Sequence, residues 1–366
     1  MQIMITGGGT GGHTSPAVAI IEELQKRDPR LMIHWVGRKG GIEQQVAERI
    51  GVPFRGVPVE GWPRKRSPRQ AWVAAKLALG VARSMMYIKT LRPQVVVGVG
   101  GYVSLPLCYA AQRLGVPTIL HEQNKRLGMA NRLLAPRATR LLLSYPDTLG
   151  DYPKEKSRVV GNPVRAGFAH APDKASARAA MGLDPNAPVV LVSGGSQGAH
   201  TINAAVTEAI MQFGREEVQF LWMTGQADAQ SARAVAADAP CKTDVFPFIN
   251  DMVIACAAAD FIVSRAGASS TAEIAMLGKP SLLVPYPFAT DNHQEQNARA
   301  FEKAGAAIVE LDKECTGARL VEVLKSVLAD PGRLQEMGRG AASLARPGAA
   351  EAIVEEILLL AFELRT

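Results

Sequence analysis

A histidine at the mouth of a helix, behind a run of glycines, is the first feature of this sequence that could do chemistry. Thr6-Gly7-Gly8-Gly9-Thr10-Gly11-Gly12-His13 follows the apolar run 2–5 and opens an amphipathic stretch. Backbone N–H groups in such a loop face a ligand, and the helix dipole behind them favours an anion. An imidazole there can take the proton of an attacking hydroxyl near neutral pH. Its position also fits a histidine that only caps or packs. A second loop, Ser193-Gly194-Gly195-Ser196-Gln197-Gly198-Ala199-His200, repeats the pattern. Two such loops at matching places favour the ligand reading over a bare turn. Neither ends in Gly-Lys-Ser/Thr, which excludes a P-loop ATPase. No acidic residue holds a convincing ribose position after the first loop, so NAD is weakly supported.

Four other polar groups have useful types and settings. Arg165, in Gly161-Asn162-Pro163-Val164-Arg165, could hold a diphosphate or a base; a hinge salt bridge explains it equally well. Glu273 follows Ser264-Arg265-Ala266-Gly267-Ala268 early in a helix, where a carboxylate could accept both ribose hydroxyls. The competing reading is a capping box with Ser270. The cluster Asp291, Asn292, His293, Gln294 and Asn297 suits sugar hydroxyls, or is a helix N-terminus capped by Asp291. Finally, Trp62-Pro63-Arg64-Lys65-Arg66 precedes a helix over 69–90. On that helix Val73, Leu77, Val81 and Ile88 form a core stripe, while Trp72, Lys76, Leu79, Arg83 and Met86 form another. Apolar residues edged by basic ones beside Trp62 read as a membrane-surface patch. A solvated basic face is the bland alternative. A nucleic-acid surface is disfavoured by the acidic second half and the lack of interleaved aromatics.

The elements that must position these residues alternate. Apolar strand-like runs fall at 2–6, 31–36, 94–98, 117–121, 140–144 and 158–160. They continue at 188–193, 218–224, 243–246, 260–264, 281–285 and 306–309, with helical stretches between most of them. Such alternation predicts α/β architecture with parallel sheets. Each glycine loop then marks the first strand–loop–helix of its own Rossmann-like domain. The expected domains are 1–162 and 163–340, with a terminal helix over 341–366 packing back on the first.

Composition agrees. The chain has 366 residues, 47% hydrophobic and 20% charged, enough for two cores and too apolar for wholesale disorder. Residues 1–162 carry 24 basic and 10 acidic residues, net +14; the rest carry 17 and 24, net −7. The first half is therefore expected to meet an anionic partner. Four cysteines without a Cys-x-x-Cys pair suggest neither zinc nor a disulfide framework. The N-terminus has no basic leader and reads as lacking a signal peptide. Residues 93–112 are uncharged, but their prolines and glycines fit a strand, a turn and a helix better than a membrane span. No Asp-x-Asp occurs, so protein groups rather than a metal are expected to neutralise a leaving diphosphate.

Together the motifs resemble one family. Gly7 to His13, Gly100-Gly101-Tyr102-Val103-Ser104, His121-Glu122-Gln123-Asn124 and Gly161 to Arg165 occur in its order. Gly194-Gly195-Ser196-Gln197-Gly198-Ala199, Arg265 to Ala268 and Gln294-x-x-Asn297-Ala298 complete the set. The chain is similar, over nearly its whole length, to the glycosyltransferase family 28 enzymes of peptidoglycan synthesis. The resemblance implies a GT-B fold and transfer of N-acetylglucosamine from UDP-GlcNAc to lipid I without a cofactor. It places the second domain on the donor and the first on the acceptor, at the cytosolic face of the membrane as a peripheral protein with cell-wall synthesis partners. By motif, Arg165, Ser196, Gln197, Ile249 and Glu273 would contact the nucleotide: Glu273 the ribose, Ile249 the uracil through its backbone, Ser196 the phosphates. Asn124 and Gln294 would contact the sugar. Thr10, Gly11, Gly12 and His13 would lie on the acceptor side, with His13 as base. Two residues depart from the family pattern: His200 replaces an arginine, and His293 precedes Gln294 where some members carry glutamine. The competing classes are a UDP-GlcNAc 2-epimerase, which needs no acceptor, and a binding subunit that turns nothing over.

Overall fold

The computed structural model describes residues 1–9, 11–63, 67–289 and 292–363. It divides into two compact units, 1–166 with 348–366, and 167–347. The division falls slightly later in the chain than the expected 162/163, and 341–347 belong to the second unit.

The first unit alternates β1 (Gln2–Thr6), α1 (Gly11–Arg27), β2 (Met32–Arg38), α2 (Ile42–Arg49), β3 (Phe54–Val57), α3 (Arg69–Leu91) and β4 (Val95–Gly98). It continues with α4 (Leu105–Arg113), β5 (Thr118–Glu122), α5 (Met129–Leu134), β6 (Arg140–Leu143) and β7 (Ser157–Val159). All pairings are parallel, in the order β3-β2-β1-β4-β5-β6-β7. The central strands are mostly apolar and buried along their length because helices cover both faces: Ile3 pairs with Ile33 on one side and Val95 on the other, all buried. The uncharged 93–112 window is β4, a glycine turn and α4. Among the described residues no helix is long and apolar enough to cross a membrane.

The second unit begins within α6 (Ala166–Ala169) and α7 (Lys174–Ala180). Then come β8 (Val189–Ser193), α8 (His200–Ala209), β9 (Gln219–Met223), α9 (Ala229–Asp238), β10 (Lys242–Phe246), α10 (Met252–Ala258) and β11 (Phe261–Ser264). It closes with α11 (Ala268–Met276), β12 (Ser281–Leu283), α12 (His293–Lys303), β13 (Ala307–Val309), α13 (Gly317–Leu328) and α14 (Pro331–Ser343). Its sheet is also parallel, β10-β9-β8-β11-β12-β13. The last helix, α15 (Ala349–Glu363), packs on α1 and buries Ile353, Val354, Ile357, Leu360 and Ala361 in the first unit's core. Glu356 on α15 pairs with Arg158 and Arg140.

Candidate active site

In both sheets the strand order reverses beside the strand that feeds a glycine loop, between β1 and β4 and between β8 and β11. Ligands of open α/β sheets sit outside the carboxyl ends of the strands at such switch points.

In the first unit, the loops after β1 and β4 interlock. The Gly8 carbonyl lies only 2.6 Å from where a Cβ on Gly101 would stand, and Gly101 has φ +76°, so no other residue fits there. The Trp35 indole donates to the Gly7 carbonyl at 3.1 Å. Glu43 on α2 is fully buried, and its carboxylate accepts from the N–H groups of Gly9, at 3.1 Å, and Arg38, at 2.8 Å. Glu43 thus fixes the loop from below. It is one of two glutamates in an ordinary amphipathic helix, and nothing in the sequence marked it. His13 is half-buried within the first turn of α1, with Gly11 and Gly12 ahead of it. Thr10 lies outside the described residues.

The end of β5 adds a buried polar cluster. His121, Glu122 and Gln123 are all at most 2% exposed. Glu122 accepts from Asn124 N and Nδ2, Gly128 N and Asn131 Nδ2 at 2.8–3.1 Å. Burial raises its carboxyl pKa, and those four donors oppose the rise. Asn124, half-buried, therefore has its amide nitrogen held. Arg165 is half-buried at the end of the same unit.

In the second unit, Gly194 to Ala199 cross from β8 to α8. A Cβ on Gly198, at φ +79°, would fall 2.0 Å from the Thr224 carbonyl, so the loops after β8 and β9 also interlock. Ser196 is half-buried and Gln197 exposed at this turn. His200 points outward, its side chain 90% exposed and Nδ1 3.6 Å from Asp228. Behind the loop, Asn203 bonds Thr224 O, Asp228 and the Trp222 indole.

Arg265, nearly buried, donates to the carbonyls of Val284 and Pro285 and pairs with Asp312, whose other oxygen accepts from Thr201 on α8. This arginine ties the loops after β11 and β12 to the start of α8. Glu273 is half-buried on α11. That helix starts at Ala268, capped by Gly267 with no side-chain bond. Glu273 therefore sits a full turn beyond the position a capping box with Ser270 requires, and that reading is set aside. Asn297, fully buried, donates to Ala266 O. Gln294 Oε1 accepts from Tyr286 N at 3.0 Å. Ile249, buried after β10, has its N–H 3.3 Å from Met223 Sδ, a weak acceptor. Asp291 lies outside the described residues, so its capping role is not placed; Asn292, at φ +54°, precedes α12.

The structure places Ser196 and Gln197 on the loop after β8, Ile249 after β10, Gln294 in the first turn of α12 and Glu273 midway along α11, all in the second unit. Asn124, Arg165 and His13 belong to the first. Among the described residues, no cluster of three metal-ligating side chains occurs.

On α3, Trp72 and Leu79 are each 60% exposed and Met86 53%, with Trp62 at 49% nearby. Leu77 and Val81 are only partly buried, while Val73, Gly80, Ser84 and Ile88 face the core. Two of the basic residues expected in the membrane patch are engaged within the protein. Lys76 bonds Glu60 at 2.7 Å and lies over the Trp72 ring, and Arg83 donates to the Tyr87 hydroxyl. The Lys76 ammonium and Arg69 guanidinium hold the Glu60 carboxyl down at about 2. Arg64, Lys65 and Arg66 lie outside the described residues.

Residues 3–143 match the glycosyltransferase family 28 N-terminal domain, and 189–353 match its C-terminal domain. The chain belongs to glycosyltransferase family 28. Among the curated proteins of this family, a Moorella thermoacetica relative is 40% identical over 98% of both chains. One from Halalkalibacterium halodurans is 38% identical over 96% of this chain and 97% of its own. Both are named UDP-N-acetylglucosamine–N-acetylmuramyl-(pentapeptide) pyrophosphoryl-undecaprenol N-acetylglucosamine transferase. The crystal structure of Acinetobacter baumannii MurG superposes with a TM-score of 0.75 at 28% identity, covering 98% of this chain and 99% of that one. A Neisseria meningitidis UDP-GlcNAc 2-epimerase shares the fold, with a TM-score of 0.68 at 14% identity over 98% of this chain. The family 28 chain is therefore an α/β glycosyltransferase of GT-B type.

Proposed function

We propose that this transferase moves N-acetylglucosamine from UDP-GlcNAc to the C4 hydroxyl of the MurNAc unit of undecaprenyl-pyrophosphoryl-MurNAc-pentapeptide (lipid I), giving lipid II and UDP. The observation that carries the reading is the 36–40% identity, over nearly the whole chain, to curated enzymes named for that reaction. The epimerase and the non-catalytic subunit are not favoured by it.

In this reading the donor lies at the second unit's switch point. The Gly194–Ala199 loop and the α8 N-terminus take the diphosphate with Ser196 and Gln197, Glu273 takes the ribose, and the Ile249 backbone takes the uracil. Arg165 supports the diphosphate; Asn124 and Gln294 hold the sugar. The acceptor's pyrophosphate meets the Gly7–Gly12 loop of the basic half. The C4 oxygen attacks C1 of GlcNAc from the face opposite UDP. Its proton passes to His13, the C1–O bond to phosphate breaks, and UDP departs with the electron pair. Inversion at C1 follows from the single displacement.

The test is labelled UDP-GlcNAc with and without a lipid I analogue. UDP release is expected only with acceptor, and His13→Ala is expected to lower kcat by about 100-fold or more with UDP-GlcNAc affinity held. Acceptor-independent conversion overturns the transferase reading; near-normal turnover of the variant removes His13 from the base role.

The exposed Trp72, Leu79 and Met86 support a membrane-docking role for α3, with the anionic leaflet facing the basic half. Trp72→Ser with Leu79→Ser, and separately charge reversal at Arg64, Lys65 and Arg66, are expected to weaken binding to phosphatidylglycerol vesicles several-fold. Unchanged binding in both variants sinks the docking role.

A further inference from the structure

Arg126 stands out among the lysines and arginines of the described residues. Its Nε is buried and has no hydrogen-bond partner. No carboxylate or carbonyl among the described residues takes the rest of its guanidinium, and the two terminal nitrogens are not sealed as Nε is. The residue is half-buried, so the fork is covered at its root and open at its tips. Several other cations of the first unit are neutralised within it. Lys125 pairs with Asp147 at 2.8 Å, Arg140 and Arg158 share Glu356, and Arg69 pairs with Glu60. An arginine keeps its charge at every pH at which a protein folds. A shielded N–H with no acceptor costs free energy. A fixed charge set out in this way marks a place where an anion binds.

The backbone that carries Arg126 is fixed on both sides. Asn124 N donates to Glu122 Oε1 at 3.1 Å, and Gly128 N to Glu122 Oε2 at 2.8 Å. Between them, Leu127 N donates to the Leu149 carbonyl at 2.9 Å and Leu149 N to the Lys125 carbonyl at 2.7 Å, a parallel bridge centred on Arg126. Leu127 itself is fully buried in the first unit's core. A side chain on so fixed a stem loses less freedom on binding than an arginine on a loose loop. The loop leaves the carboxyl end of β5, and Leu149 lies on the loop that leaves the carboxyl end of β6. The Gly7–Gly12 loop opens on that same side of the parallel sheet.

We propose that Arg126 binds a carboxylate of the acceptor's pentapeptide, an inference that rests on the lipid I reading. That acceptor carries two anionic parts, a pyrophosphate on MurNAc and a peptide that ends in a carboxylate. The pyrophosphate is matched by the Gly7–Gly12 loop, whose N–H groups and helix dipole suit phosphate oxygens. Arg126 is set apart from that loop. It follows β5, and β4 lies between β5 and β1. At the usual strand spacing the two loops leave the sheet about 10 Å apart. A planar fork with both tips open pairs with a carboxylate through two parallel N–H···O bonds. With the pyrophosphate on one loop and the peptide on the other, the MurNAc ring is held from two sides at the strand ends of the first unit.

Two soluble lipid I analogues test it, one with free peptide carboxylates and one with those groups converted to carboxamides, both keeping the pyrophosphate. Wild type is expected to show a kcat/KM about tenfold higher for the free acid, mostly through the acceptor KM. Arg126→Gln is expected to lose about tenfold on the free acid and nothing on the carboxamide, with the UDP-GlcNAc KM unchanged. A merely structural role would lower both alike. Arg126→Lys is expected to keep part of the free-acid preference, since it keeps the charge without the fork. Equal losses of Arg126→Gln on both analogues overturn the proposal and move the contact to the pyrophosphate. An unchanged kcat/KM of that variant on the free acid overturns it too. So does a wild type that uses both analogues equally well, a result that needs no variant to fold. In that case only the Arg126 role fails. If neither analogue supports UDP release, the transferase reading fails and takes the Arg126 role with it.

Discussion

Glu122 shows how much of the site depends on a side chain with no assigned ligand contact. Both its oxygens are filled by N–H donors, Oε1 by the two of Asn124 and Oε2 by Gly128 and Asn131. With its nitrogen held, Asn124 has its oxygen left for the sugar hydroxyl that the proposed donor site assigns to it. Glu122→Gln puts an NH2 where a carboxylate oxygen stood, and either amide orientation sets donor against donor. A stability loss of about 1–3 kcal/mol is expected. The UDP-GlcNAc KM should rise more than kcat falls, because the sugar contact loses its support while the base does not. Melting curves and steady-state kinetics measure both, and a variant matching wild type in Tm and KM would refute this role. The His-Glu-Gln-Asn run was visible in the sequence as a motif, yet only Asn124 drew a role from it. Polar residues at a strand end read as solvent-facing, and periodicity carries no sign that His121, Glu122 and Gln123 are buried and bonded to one another.

At the scale of elements, the two glycine loops hold their shape by close approach to a neighbouring loop. Gly198 and Gly195 separate that effect from backbone conformation. Both have positive φ, +79° and +88°, but a Cβ on Gly198 meets the Thr224 carbonyl and one on Gly195 meets nothing within 4 Å. Gly195→Ala should therefore cost only the left-handed strain, about 1 kcal/mol. Gly198→Ala must also displace the loop that carries Ser196 and Gln197. UDP affinity is expected to fall at least about tenfold more in Gly198→Ala than in Gly195→Ala. Calorimetric titration with UDP decides it; equal losses would mean that loop contact does not shape the site. Most strands were legible because the parallel sheet demands continuous apolar runs. β3 was not, since Phe54-Arg55-Gly56-Val57 lies between Pro53 and Pro58 and pairs only with β2. An edge strand buries one flank and needs less apolar signal. At α11 the competing capping-box reading had the right spacing, Ser270 to Glu273, but Gly267 had already opened the helix.

The molecule as a whole joins a basic first half to an acidic second one, and that asymmetry needed only the sequence. Its response to acid did not, because it depends on buried histidines. His34 on β2 is 6% exposed, and neither ring nitrogen has a partner among the described residues. Burial, and then the Arg55 charge, lower its pKa. His121 is lowered to about 4 by burial. Each is neutral when folded but takes a proton when unfolded below about pH 6.5, so the unfolded chain binds more protons there. Stability from these groups is therefore fully present above that pH and is lost as pH falls toward the folded-state values, by at most about 1.4 kcal/mol per pH unit per group. Glu122 has the opposite sign, since its raised pKa lets the folded state bind a proton first. It offsets part of the slope in the lower end of the same window. His34 is the cleaner probe because it holds no hydrogen bond to lose. His34→Leu replaces two orphaned nitrogens by apolar volume beside Val36, and is expected to stabilise the fold by about 1–2 kcal/mol at pH 7. The gain should widen between pH 6.5 and 5, as the charge that wild type cannot bury is no longer at stake. Urea unfolding followed by tryptophan fluorescence, with Trp35 next in the strand as a buried reporter, measures the difference at each pH. A gain that stays constant across that range would mean His34 does not titrate on unfolding, and would leave His121 as the buried histidine that links this fold to pH.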